Sequence, residues 1–180
     1  FYVMILMLLC GAFSGLMVIS QASPIAQNLV GVTPATAAVC VSVLALFNMA
    51  GRIVAGLLSD KLGRIKTLAG MMVLSLIGFV LLLFAAQGRL VLFMLGISVI
   101  GVAFGSFMGV FPGFTADQFG ARNNSVNFGI MFIGFAVAGI LWPMILNCIY
   151  GSLGDYRYAF AGGMAVVVGG LLLAFGYIRL

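Results

Sequence analysis

The sequence predicts an all-α polytopic membrane protein with six transmembrane helices joined by short loops. Hydrophobic residues fill 64% of the 180 positions and charged residues only 6%, with a mean hydropathy of +1.32. A soluble domain keeps roughly a quarter of its residues charged, so lipid is the solvent here. A spanning helix needs about 20 apolar residues, and the chain has room for six such runs with short connections. A transmembrane barrel would instead alternate apolar and polar residues over segments of about ten. Residues 68–86 are apolar on both faces, which argues for helices.

The first span is expected over residues 2–28, broken late by Pro24. Thr33-Pro34 supplies an N-cap followed by proline at the first helical position, so the second span covers 34–58. The third is expected over 67–86 and the fourth over 90–111, stopped by Pro112-Gly113. The fifth covers 124–150 and the sixth 156–178. Phe1 opens directly into apolar sequence with no charged leader or cleavage site, so the chain reads as a fragment of a longer protein. The cations set an orientation by the positive-inside rule. With the start of the first span cytoplasmic, Lys61, Arg64, Lys66, Arg122 and Arg179 share that side, while only Arg89 and Arg157 face the other. The net charge of +5 is then topological sorting, and no nucleic-acid partner is implied.

Composition narrows the chemistry. Histidine is absent, which removes imidazole zinc sites and Ser-His or Cys-His pairs. Cys10, Cys40 and Cys148 are odd in number, widely spaced and set in apolar sequence, so they read as buried small hydrophobes. No metal or cofactor is called for. No paired carboxylates or activated nucleophile lie in a span, which argues against an intramembrane enzyme. No phosphate-binding loop appears either.

Only eleven residues carry a formal charge, and four of them fall between Asp60 and Lys66. This segment, Gly56-Leu57-Leu58-Ser59-Asp60-Lys61-Leu62-Gly63-Arg64-Ile65-Lys66, follows the pattern G-x-x-x-D-[RK]-x-G-R-x-[RK]. It resembles the inter-helix loop of the major facilitator superfamily of membrane transporters, which build each carrier from two six-helix halves. The resemblance implies a conformational gate at Gly56, Asp60, Lys61, Gly63, Arg64 and Lys66. A carboxylate such as Asp60 suits the positive N-terminal end of a neighbouring helix, while Lys61 and Arg64 suit acceptors at helix C-termini. Contacts of that kind form in one arrangement of the halves and break in the other. Anchoring of topology by the three cations is the plainer role.

Arg52 is the one charge expected inside a span. An arginine at the bilayer centre costs about 2.5 kcal/mol or more, and Asp60, Asp117 and Asp155 all fall in expected loops. Either Arg52 meets a mobile anion or a carboxylate on the missing part of the protein, or it snorkels to lipid phosphate at an interface about 12 Å away. Asn48 and Ser59 extend a thin polar stripe along the same helix. Asn48-x-x-x-Arg52, the charged loop and Phe111-Pro112-Gly113-Phe114-Thr115-Ala116-Asp117-Gln118-Phe119-Gly120 together resemble the C-terminal half of the oxalate/formate antiporter group, which is similar to the monocarboxylate porters. The resemblance implies that residues 1–180 are helices seven to twelve of a transporter whose N-terminal six-helix half is missing. It further implies that Arg52 pairs with a carboxylate of a small organic anion. Monocarboxylate porters often carry Asp where Asn48 stands, which puts proton coupling at that position in doubt. The fifth span has no second cation, which suits a monoanion such as formate, pyruvate or lactate better than oxalate.

Asn127 and Gln21 are further polar candidates for the substrate cavity, each near a helix end. Gly101-x-x-x-Gly105-x-x-x-Gly109 reads as a close-packing ridge. Trp142, Tyr150, Tyr156 and Tyr158 read as an aromatic belt at the outer interface. The expected activity is secondary transport of a small organic anion across a plasma membrane, the bacterial inner membrane, with a proton or counter-anion as the coupled species. The alternative is a sensor or assembly subunit that keeps the fold without transport.

Overall fold

The computed structural model describes residues 1–178, and Arg179, expected on the cytoplasmic side, lies outside them. Six helices follow in order: α1 Tyr2–Ile25 with a π-helical turn Ala26–Val30, α2 Pro34–Leu62, α3 Arg64–Leu83, α4 Leu90–Phe119, α5 Asn124–Leu153 and α6 Arg157–Ile178. Each is long and apolar enough to cross a membrane, and no strand occurs among the described residues. The chain is an integral membrane protein.

Local chemistry sets the helix ends. Thr33 caps α2, its hydroxyl accepting from the Thr36 amide at 3.3 Å, and Pro34 occupies the first turn. Gly63 (φ 88, ψ 150) ends α2 and Gly120 (φ 82, ψ 154) ends α4. Both sit in a region essentially reserved for glycine, and the chain turns sharply at each.

Several expected boundaries are too short. Pro24 does not break α1, which continues through it into the π turn. Pro112-Gly113 does not stop α4, which runs on to Phe119. A membrane helix tolerates proline in its interior more readily than a soluble one, and past this point the Asn124 side-chain amide donates to the Pro112 carbonyl at 3.2 Å, tying the start of α5 to α4. The 30 residues of α4 rise about 45 Å against a hydrocarbon core of about 30 Å. Its last turn therefore projects past the apolar slab, and Asp117 stands on that turn rather than in a loop.

The core is built by α1 and α4. In α4, 61% of the most apolar stretch is buried, against 22% in α2 and 28% in α5. Phe107 packs on Gly11 of α1, and Gly134 of α5 lies against the Ile5 carbonyl of α1. On α5 the buried residues Met131, Gly134, Ala138, Trp142 and Leu146 form a stripe facing α1. That stripe corrects the aromatic belt: Trp142 is buried, with its ring 3.8 Å from Phe13. Tyr156 is buried as well, stacked on Tyr150 at 4.1 Å, and its hydroxyl oxygen accepts from the Asn28 amide at 3.1 Å. Burial pushes the Tyr156 phenol up, with the Asn28 hydrogen bond opposing. The thiols also differ: Cys40 is buried and Cys10 half-buried, but Cys148 is exposed on the sparsely covered α5.

Candidate functional site

Arg52 lies on α2, eight residues before Asp60. Its Nε donates to Asn48 Oδ1 at 3.3 Å, one turn earlier on the same face. The side chain is thus turned back along α2, away from Asp60 and the charged loop. Among the described residues no carboxylate pairs with Arg52, and no other hydrogen bond engages its guanidinium. Arg52 lines an open hollow of about 290 Å³ on one face of α2, together with Ala45, Asn48 and Met49.

The glycine ridge of α4 holds this part of α2 in place. A Cβ at Gly101 would stand 2.9 Å from the Leu44 carbonyl oxygen, and one at Gly109 2.6 Å from that of Arg52. One at Gly105 would collide with the Asn48 carbonyl. The three glycines therefore seat against three successive turns of α2, two of which carry Asn48 and Arg52. Between them the Ser106 hydroxyl lies 2.7 Å from the Val102 carbonyl and 3.3 Å from that of Gly51, a polar stitch across the contact.

The other expected cavity residues are not gathered here. Gln21 is half-buried near the end of α1, and Asn127 is half-buried near the start of α5. Neither bonds Arg52, and the antiparallel order of the helices sets the two at opposite ends of the bundle. Ser59 keeps its place on the polar stripe but is engaged by the charged end and not by Arg52. It lies on nearly the same face of α2 as Arg52, but it is buried where α3 converges, with its hydroxyl donating to the Gly56 carbonyl at 2.7 Å, whereas Arg52 is exposed.

At the charged end Arg64 is the organising residue. It opens α3 and makes an ion pair with Asp60 Oδ1 at 2.7 Å through one η nitrogen, which also donates to Ser59 Oγ. Its Nε donates to Asp117 Oδ2 on the last turn of α4 at 3.0 Å. Gly113 leaves room for this crossing, since a Cβ there would lie 3.1 Å from the guanidinium carbon. One side chain thereby ties the ends of α2 and α4 to the start of α3. The Tyr177 hydroxyl extends the cluster to α6 by donating to Gln118 Oε1 at 2.9 Å. Lys66 lines an adjoining cavity of about 370 Å³ with Arg64, Asp117 and Tyr177.

This arrangement alters the expected duties of the loop. Asp60 sits on the last turn of its own helix, not at the N-terminus of a neighbour. Arg64 reaches the C-terminal end of α4, but a carboxylate rather than a backbone carbonyl receives it. Lys61 is exposed and unpaired among the described residues. Gly56 has nothing within 4 Å of where a Cβ would stand. Asp117 belongs to the Phe111–Gly120 motif, and its contact with Arg64 depends on α4 continuing through Pro112.

The sequence model of the Major Facilitator Superfamily matches residues 3–180. The chain belongs to this superfamily. It is 36% identical over 140 residues to the uncharacterized MFS-type transporter YhjX of Escherichia coli (strain K12), covering 78% of this chain and 35% of that protein. It is 30% identical over 130 residues to the oxalate:formate antiporter of Oxalobacter formigenes, covering 71% of this chain and 30% of that protein. The matched part thus spans about a third of each curated relative.

Proposed function

We propose that the chain forms helices seven to twelve of a secondary transporter for a small organic anion, with Arg52 receiving the substrate carboxylate. The observation that carries this reading is the state of the Arg52 guanidinium. Its Nε is occupied by Asn48, its outer N–H donors have no partner among the described residues, and it lines an open hollow on the exposed face of α2. A carboxylate approaching that edge gains two parallel charge-assisted hydrogen bonds. The snorkelling alternative is less favoured, because the side chain points away from the charged end. The antiporter relative supports organic-anion chemistry, and a single intramembrane cation suits a monoanion. Asn48 does not titrate, so coupling to a proton would use a group elsewhere.

The Arg64 cluster is then a gate. Its ion pairs hold the ends of α2, α3 and α4 together at the side assigned as cytoplasmic, and rocking of one half against the other would strain or release them. The deciding experiment measures uptake of labelled formate, pyruvate, lactate and oxalate by the full-length protein in vesicles, with and without a proton gradient. Saturable uptake of a monocarboxylate that Arg52→Gln abolishes is expected. Unchanged uptake in that variant removes Arg52 from the site, and no uptake of any of the four favours a non-transporting role.

A further inference from the structure

Another cavity lies on the other flank of α2. It measures about 570 Å³ and is walled by Val43 and Phe47 of α2, Leu74 of α3, and Leu90, Leu95 and Val102 of α4, among others, nearly all of them apolar. The shape follows from the packing: α2 and α3 touch little beyond their shared loop, and α4 packs against both. Along α4 the wall covers residues 90–102, a rise of about 18 Å. That is close to one leaflet of a hydrocarbon core about 30 Å thick. Arg89, exposed, immediately precedes the lining residue Leu90, and among the described residues its guanidinium makes one long 3.5 Å contact, to the Phe84 carbonyl. At about 100° per residue, Val43 and Phe47 stand roughly 140° round α2 from Asn48 and Arg52.

We propose that this groove holds an acyl chain of an anionic phospholipid whose headgroup phosphate rests on Arg89. The inference uses the transport reading in one respect: the Arg52 face of α2 is taken as the one turned toward the other half, which leaves the Val43 and Phe47 flank to lipid. An apolar channel one leaflet deep with a cation at its rim matches the two ends of such a lipid. A zwitterionic lipid offers the same chain without the net charge.

The test uses the full-length protein in phosphatidylcholine vesicles containing a trace of photoreactive lipid. The probe carries its reactive group on the acyl chain and has either a phosphatidylglycerol or a phosphatidylcholine headgroup, and adducts are mapped by mass spectrometry. Phosphatidylglycerol adducts on residues 90–102 are expected to exceed phosphatidylcholine adducts about fivefold, the weight of one cation near an anionic headgroup. Arg89→Gln brings the two to parity. Leu95→Trp fills the groove and lowers adducts there for both probes, while an unchanged unfolding temperature shows that the variant is folded. Equal labelling by the two headgroups in the unmodified protein overturns the proposal. So does labelling no denser than at the exposed Leu172 and Phe175 of α6, or a groove that neither lipid labels because protein covers it. None of these outcomes depends on uptake by Arg52→Gln, so the two proposals fail separately.

Discussion

Arg52 keeps a charge in a helix whose neighbouring exposed residues include Met49, Ile53 and Val54. Placing it there costs about 2.5–3.5 kcal/mol on insertion scales, and the Asn48 hydrogen bond offsets part of that while orienting the planar fork. If the fork binds a carboxylate, Arg52→Gln should weaken substrate binding about tenfold to a hundredfold, from the roughly 1.5–3 kcal/mol of a charged hydrogen bond. Arg52→Lys should recover only part, because a point charge does not reproduce two parallel bonds. Asn48→Asp places a carboxylate within reach of Nε and should compete with the substrate, giving a loss of the same order. Titration calorimetry with a monocarboxylate checks all three, and unaltered affinity in Asn48→Asp would remove Asn48 from the site. Gly63 carries a different kind of constraint. At φ 88 and ψ 150 an alanine would be strained by about 1–3 kcal/mol, so Gly63→Ala should lower the unfolding temperature although open space surrounds the position.

At the scale of the helix pair, the ridge on α4 determines where Arg52 stands. A Cβ at Gly105 meets the Asn48 carbonyl, a backbone atom that moves only if α2 moves. Gly105→Ala should therefore cost about 1–3 kcal/mol as an overpacked contact and reduce substrate affinity as well. Gly56→Ala enters open space on the same helix and should change thermal stability by less than about 0.5 kcal/mol. Loss of transport in Gly56→Ala without loss of stability would point to a close approach by the rest of the transporter. The ion pair between Arg64 and Asp117 joins α3 to α4, and its side chains are 24% and 54% exposed. Solvent screening then limits a double-mutant cycle of Arg64→Gln and Asp117→Asn to about 1 kcal/mol. The glycine spacing made close packing legible, but not which helix would receive it, since spacing on one helix says nothing of its partner. Asp117 and Ser59 escaped for a related reason. A rule that ends a span at proline puts Asp117 in a loop, and Ser59 joins the Arg64 cluster only once α2, α3 and α4 converge. The six spans were readable because composition and run length decide them without tertiary information.

The whole molecule is unevenly covered. α1 and α4 are wrapped by neighbours, whereas α2 and α5 expose Phe47, Met49, Ile53, Ile133, Ile140 and Met144. Exposed apolar surface is no cost in lipid, but a helix that also carries Arg52 needs a wet or protein-lined face there. The remainder of a two-half transporter would supply it, and the transport reading rests on that assembly. The orientation is testable without knowing the substrate. The α2–α3 and α4–α5 connections lie at one end of the bundle, and the α3–α4 and α5–α6 connections at the other. Cation sorting assigns the first pair to the cytoplasm. In a full-length background with Cys10, Cys40 and Cys148 replaced, single cysteines at the exposed positions Gln87, Ala121 and Ser152 report each end. An impermeant thiol reagent added to intact cells should label Gln87→Cys and Ser152→Cys, and should reach Ala121→Cys only after permeabilisation. The reverse pattern would place the Arg64 cluster outside. The gate would then close the opposite mouth of the pathway, and the Arg89 groove would open to the inner leaflet.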